Sequence, residues 1–365
     1  MTIMRPFSGS YMPDDVEFLL KPIDCEHTPI SVKERLIQSG KKHYSEMLSH
    51  ESLPSDDYLA LFYQAMASNQ ERMAKHLILL AKQILAMRAD GITLVSLARA
   101  GTPIGVLLKQ ILKRYVNANV SHYSISILRD VGIDQNALRF ILKSHAPESL
   151  VFVDGWTGKG VIARQLVTSL QAFALSDGVM IPAELYVLTD LSGLATFAAS
   201  SEDYLIPSCL LNATVSGLIS RSIYNRHELN SDDFHGCVYY RHFEPHDLSR
   251  YFIETILARV ECLWQTCHGQ SSIEPNRLQL QAVSRQFLLW ISQRYGITEH
   301  ALIKPGIGEA TRVLLRREAK LLLLKDRESE ATLHLRWLAE SKSIPVMVLN
   351  DLPYQAAALI KEIRS

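Results

Sequence analysis

The stretch VFVDGWTGKGVIARQL, Val151 to Leu166, decides the fold. Leu150 to Val153 reads as a buried strand, Asp154 sets a carboxylate at its tip, and the turn Thr157-Gly158-Lys159-Gly160 feeds a helix predicted from Gly160 to Phe173. A glycine turn at a helix start gathers unpaired N–H groups at the positive end of the helix dipole, which suits an anion. Thr157 offers a hydroxyl and Lys159 a charge. Asp154 is placed to hold ribose hydroxyls or a magnesium ion. The plainer alternative is a tight strand-to-helix connection built by Gly155, Gly158 and Gly160, and short glycine motifs do not separate the two. A Walker loop is excluded, because Lys159 is followed by Gly160 rather than Ser or Thr.

Working outward, the same grammar recurs. Ile92 to Leu97 is a β-rich run, followed by Arg99-Ala100-Gly101-Thr102 and a helix from Ile104 to Arg114. Further strands are predicted at His122–Leu128 and Leu185–Leu188, with a helix at Asn136–Ser144. Short apolar strands alternating with longer helices predict an α/β fold with a mainly parallel sheet. Both glycine turns then lie at carboxyl ends of strands, where such sheets bind ligands. Before them, residues 1–90 read as a helical extension dominated by Tyr58–Met87, with Ser55-Asp56-Asp57 as its cap. The strand-rich core spans 91–225 and a second helical extension 226–298, with helices near 247–267 and 278–294 and a surface connection at Gln270–Pro275. Residues 299–365 read as a small α-β-α-β-α unit: helices Glu309–Arg317, Glu330–Ser341 and Tyr354–Ile363, strands Lys320–Leu324 and Pro345–Leu349.

Composition narrows the class. With 365 residues, 47% hydrophobic and 21% charged, the chain has the balance of a soluble globular protein. Its 38 basic and 38 acidic residues cancel, so any nucleic-acid affinity must come from a local patch. Five scattered cysteines argue against a disulfide framework and for a reducing compartment. Asp14, Asp15 and Glu17 stand where a signal peptide would be apolar, and no apolar run is long enough to span a membrane, so the expectation is a cytoplasmic protein.

The two turns together resemble the type I phosphoribosyltransferases. GSYMPDDVEFLLK (Gly9–Lys21), LIQSGKKHYSEML (Leu36–Leu48), VSLARAGTPIGVLLK (Val95–Lys109), HYSISILRDVGID (His122–Asp134), LIPSCLLNATVSGLISR (Leu205–Arg221) and DDFHG (Asp232–Gly236) carry a closer likeness. They resemble the phosphoribosyltransferase-like proteins encoded beside tellurium-resistance stress operons, which end in a Pelota-like RNA-binding domain. That family also bears the label cysteine protease StiP. The resemblance implies Mg²⁺-dependent glycosyl transfer from phosphoribosyl diphosphate to an unnamed acceptor, in a stress-linked nucleoside-type pathway. By position, Asp154 would touch the ribose and the metal. Thr157, Gly158, Lys159 and Gly160 would hold the 5-phosphate. Arg99, Ala100 and Gly101 would line the diphosphate loop, and Arg129 would clamp the leaving diphosphate. Against the pattern, Gly155 replaces the usual second acid, the loop after Asp154 is about two residues short, and Trp156 is a bulky insert.

In the last unit, Gly306-Ile307-Gly308-Glu309-Ala310-Thr311-Arg312 resembles the RNA-contacting motif of the Pelota superfamily, with Gly306, Gly308, Glu309 and Arg312 as its contacts and Gly308 in place of the usual Asn. Arg316 and Arg317 extend a basic strip, although eleven Lys/Arg against eight Asp/Glu from residue 300 onward is a mild surplus. Dimerisation, including a homodimer, or docking is the competing use of such a unit. A protease would need an ionised cysteine near a histidine. Cys209 precedes a predicted helix and Cys237 follows His235 by two residues, but no cysteine-protease signature surrounds any of the five. Cys262-x₄-Cys267-His268 lacks a second ligand pair and reads as core packing. Asp232, Asp233 and His235 suit either a capped loop or a Mg²⁺ site, and Thr189–Gly193 either a turn or an acceptor contact. Three classes stand: transferase, thiol hydrolase, and noncatalytic nucleotide-sensing RNA binder.

Overall fold

The computed structural model describes residues 6–88, 91–225, 229–267 and 276–363. The predicted connection Gln270–Pro275 and His268 lie outside the described residues. The chain opens with β1 (Glu17–Leu19), β2 (Lys21–Pro22) and α1 (Ile30–Gln38), then the 32-residue α2 (Asp56–Met87). Ser55 Oγ accepts the Tyr58 N–H at 3.3 Å and so starts α2 where the sequence places its cap. Phe62, Met66, Met73, Leu77, Leu80 and Ile84 make one fully buried stripe along it. Each such side chain contributes about 1.5–3 kcal/mol by leaving water.

Next come β3 (Ile92–Ala98), α3 (Thr102–Val116), β4 (Val120–Leu128), β5 (Gly132–Ile133), α4 (Gln135–Ile141), β6 (Leu150–Thr157), α5 (Val161–Asp177), β7 (Leu185–Asp190) and β8 (Phe197–Ser200). The main sheet runs β1-β4-β3-β6-β7-β8, every neighbour parallel, with β5 added antiparallel to β4. Leu94, Val151 and Val153 face one apolar cluster with α2 and α3. Val95, Leu97, Leu150 and Phe152 face another with α4 and α5. Burial on both faces is why these strands read as unbroken apolar runs. Residues 17–19, placed by sequence in a helical extension, form an edge strand of this sheet. Three residues are too short to show a period of two.

Residues 204–221 follow as 3₁₀ turns packed into the core, so Cys209 ends such a turn rather than preceding a helix. Then come β9 (Gly236–Cys237), paired with β2, and helices α6 (Ser249–Cys267) and α7 (Arg277–Tyr295).

The last unit contains β10 (Ile303–Pro305), α8 (Ile307–Arg316), β11 (Ala319–Leu324), α9 (Leu333–Ser341), β12 (Val346–Val348) and β13 (Ala356–Ile360) in a sheet ordered β10-β13-β11-β12. The predicted helix Tyr354–Ile363 is wrong. Ala356-Ala357-Ala358-Leu359-Ile360 is an interior strand, all five residues buried, antiparallel to both β10 and β11. Alanine's local helix preference yields to burial between two waiting strand edges.

Candidate functional site

Parallel pairing brings the carboxyl ends of β3, β6 and β7 to one edge of the sheet, and α8 of the last unit packs against that edge. β6 continues past Val153 through Thr157. Asp154 Oδ1 accepts the Gly155 N–H at 2.8 Å, and burial pushes the carboxyl up to about 6 against the pull of Arg312. Thr157 Oγ1 donates to Asp190 Oδ1. Gly160 has φ +68°, and a Cβ there would stand 2.3 Å from Leu194 Cδ1, so the turn into α5 requires glycine. Lys159 Nζ donates to the His300 carbonyl. Burial, then Lys304, brings its ammonium down to about 7.

Two hollows open here. One of about 170 Å³ is lined by Ala100, Asp154, Trp156, Cys209 and Arg312. The other, about 520 Å³, lies between the 157–160 turn and α8, with Arg129 and Glu309 on its walls. They share Asp154, Trp156, Arg221, Arg312 and Arg316. The structure thus gathers Asp154, Thr157, Gly158, Lys159, Gly160 and Arg129 around one space, with Ala100 next door. Arg99 is not aimed as expected. Although it borders the smaller hollow, its guanidinium turns to Glu51 at 3.0 Å and the Ile219 carbonyl at 2.7 Å. Gly101 serves close packing, since a Cβ there would stand 2.4 Å from the Val153 carbonyl oxygen.

The predicted RNA contacts face inward. A Cβ on Gly308 would stand 2.5 Å from the Trp156 ring, and one on Gly306 2.6 Å from Leu191. Arg312 lies 4.3 Å over the Trp156 ring and pairs with Glu309 at 2.9 Å. Burial raises the Glu309 carboxyl, but Lys304 and Arg312 outweigh it and hold it down to about 2. Gly308→Val is therefore expected to push the indole out of its seat, red-shift tryptophan emission and lower stability by about 1–3 kcal/mol. Unchanged emission would show that the contact is not tight.

Of the two carboxylates that line these hollows, Asp154 is the one without an ion pair among the described residues. Asp154 Oδ1 accepts the Gly155 N–H, and Glu309 pairs with Lys304 and Arg312. Among the described residues no group of three or more His, Cys, Asp or Glu side chains could hold a metal. Asp233 pairs with Lys21 at 2.6 Å and His235 Nδ1 meets Ser126 Oγ at 2.8 Å, so the Asp232–Asp233–His235 segment is a tied loop. Thr189–Gly193 is a turn folded around Asp190, whose Oδ1 accepts the N–H groups of Ser192 and Gly193 at 2.8 and 3.0 Å.

Of the cysteines, Cys262 is exposed on α6 and Cys267 buried at its end, Cys237 is buried in β9, and Cys25 is half-buried. Cys209 lines the smaller hollow. Its Sγ lies 3.9 Å from Thr311 Oγ1, which is 2.8 Å from His334 Nε2. Burial pushes this thiol up to about 12 although Thr311 and Arg312 pull it down, and burial holds the His334 imidazole at about 3. The two side chains come from positions 125 residues apart, so sequence gave no signal joining them. Arg221, which borders both hollows, carries no such signal either, and Arg316, read in a basic strip for RNA, borders them too.

Known proteins similar to this chain carry a different name from the one expected. The family model described as tellurite-like stress resistance cysteine protease StiP matches residues 9–257, and the PELOTA RNA binding domain matches residues 282–362. A curated relative, "Cysteine protease StiP" of Acinetobacter baylyi, is 42% identical over 376 residues, covering 100% of this chain and 96% of its own. Among solved structures, a hypoxanthine phosphoribosyltransferase of Trypanosoma cruzi is similar over 37% of this chain and 82% of its own, at 15% identity and a TM-score of 0.28. Another from Staphylococcus aureus covers 37% of this chain and 77% of its own, at 9% identity and a TM-score of 0.25. Likeness that slight carries no argument. The expected glycosyl transfer from phosphoribosyl diphosphate is overturned, because the full-length relative and the family model both carry a protease's name.

Proposed function

The chain belongs to the StiP family of tellurite-like stress resistance cysteine proteases, and on that premise we propose that it is a thiol hydrolase of peptides with Cys209 as nucleophile. The observation that carries the assignment is placement. Cys209 alone of the five cysteines lines the hollow at the strand ends, beside Arg312 and Arg316 and linked through Thr311 to His334. Thr311 Oγ1 accepts from the Cys209 thiol and donates to the Ile307 carbonyl at 2.8 Å, so it holds the sulfur in place while the thiol proton passes to water. Sγ then bonds to the carbonyl carbon and the carbonyl π pair moves onto oxygen, beside the arginines. Collapse breaks the C–N bond, and the amine leaves with a proton taken from water. Water then hydrolyses the thioester and restores the thiol.

The raised thiol pKa means Cys209 rests protonated at pH 7. Below that pKa the thiolate fraction rises about tenfold per pH unit. Iodoacetamide should therefore label exposed Cys262 first, and Cys209 at a rate that climbs steeply from pH 7 to pH 10, with casein hydrolysis falling in step with Cys209 labelling by mass spectrometry. Hydrolysis that persists once Cys209 is fully alkylated would defeat the assignment.

RNA is proposed as the partner of the C-terminal unit, supported by the domain match at 282–362. Its motif lies against the core, so contact through Arg312 requires the units to part. Trp156→Ala, which opens that joint from the core side and leaves the motif intact, should bind single-stranded RNA more tightly than the unaltered chain; equal affinity would count against the reading.

A further inference from the structure

The space around Arg221 and Arg316 carries more positive charge than the protein balances. A third hollow, about 360 Å³, lies beside the two at the strand ends and is lined by Lys33, Arg99, Arg221 and Arg316. Arg221 and Arg316 border all three hollows. The largest one presents nine lysines and arginines against two carboxylates, Asp154 and Glu309.

Local pairing does not remove this excess. Arg99 is matched by Glu51 and Arg317 by Glu34. Arg221 Nη2 donates to the carbonyls of Tyr44 and Met47, which are neutral, and its Nη1 is buried with no hydrogen-bond partner among the described residues. Arg316 Nη2 donates to the Asn212 side-chain carbonyl, again neutral, and its Nε is likewise buried and unpartnered. Lys33 is 5% exposed and forms no ion pair among the described residues. Burial, then Arg221 and Arg317, lowers its ammonium to about 7. Lys33 is buried and Arg221 and Arg316 half-buried, and cations drawn out of water without counter-charge are unfavourable.

We propose that Lys33, Arg221 and Arg316 form a binding site for a small phosphorylated ligand carrying at least two negative charges. Two guanidinium forks and an ammonium from three different parts of the chain match the tetrahedral oxygens of a phosphate group better than one planar carboxylate. A hollow of this size encloses a nucleotide-sized molecule and excludes a folded RNA. Arg316 belongs to α8 of the last unit, while Arg221 belongs to the core and Lys33 to α1, so the ligand would be held from both sides of the joint. The site does not depend on the hydrolase assignment, because its readout is diphosphate binding, although Arg316 also borders the Cys209 hollow.

The test uses the full chain and inorganic diphosphate as probe, against sodium chloride at matched ionic strength. Diphosphate is expected to raise the melting temperature and to bind in calorimetry, inorganic phosphate more weakly. Arg316→Met and Lys33→Met are each expected to weaken diphosphate at least tenfold. Each should also raise the melting temperature of the unliganded chain, because one uncompensated charge is gone; a merely structural role would lower it. Diphosphate stabilisation no greater than that of chloride, or equal affinity in both variants, would overturn the site. So would protection by a short RNA or an acidic peptide with diphosphate silent.

Discussion

Cys209→Ala is expected to abolish peptide hydrolysis, lowering kcat/KM by at least about three orders of magnitude, with little effect on folding. The substitution removes a single sulfur from a side chain that is buried but borders a hollow, so the packing loss is about 1 kcal/mol. Alanine at Cys25, Cys237, Cys262 or Cys267 should leave kcat/KM within a few-fold, because none of these lines the hollows at the strand ends. Thr311→Val should also depress turnover, since its hydroxyl accepts from the Cys209 thiol and pulls the thiol pKa down against burial. The loss should shrink as pH rises and the thiol ionises without help. A Cys209→Ala protein that still cleaves casein at the unaltered rate would end the assignment.

Asp190→Ala is expected to destabilise the chain by about 4 kcal/mol or more in urea titration. Asp190 is 2% exposed, and its two oxygens gather donors from four residues. Oδ1 takes the Thr157 hydroxyl, both donors of Ser192 and the Gly193 N–H, while Oδ2 takes the Ala195 N–H at 2.9 Å. Alanine would strand these donors in a dry interior, each at a cost of about 1–3 kcal/mol where nothing replaces the carboxylate. Water reaching the vacated space would recover part of that. A loss under 1 kcal/mol would mean the network holds nothing together. Thr157 is tied here, so the hydroxyl expected to greet a phosphate is spent on holding β6 to the turn after β7.

What was legible in the sequence follows from how local the cause was. The run from Leu150 to Val153 and the stripe along α2 are set by neighbours within the element, and both were read correctly. The Ser55 cap depends on a residue three positions away and was also legible. The strand Ala356–Ile360 was not, because its state is decided by β10 and β11 rather than by its own alanines. Arg99 was placed at the right loop but aimed wrongly, since Glu51 and Ile219, which capture it, lie 48 and 120 residues away. The glycines at 306 and 308 were read as room for a nucleic acid; the room is filled by Leu191 and Trp156 of the same chain.

The seat of Trp156 between Gly308 and Arg312 has a thermodynamic consequence. Any ligand gripped from both sides of that joint must favour the closed arrangement, and by linkage the closed arrangement must favour that ligand to the same degree. A molecule that pries the last unit away would be sensed as a fall in affinity at the sheet edge, so occupancy on one side and accessibility on the other become two readings of a single equilibrium.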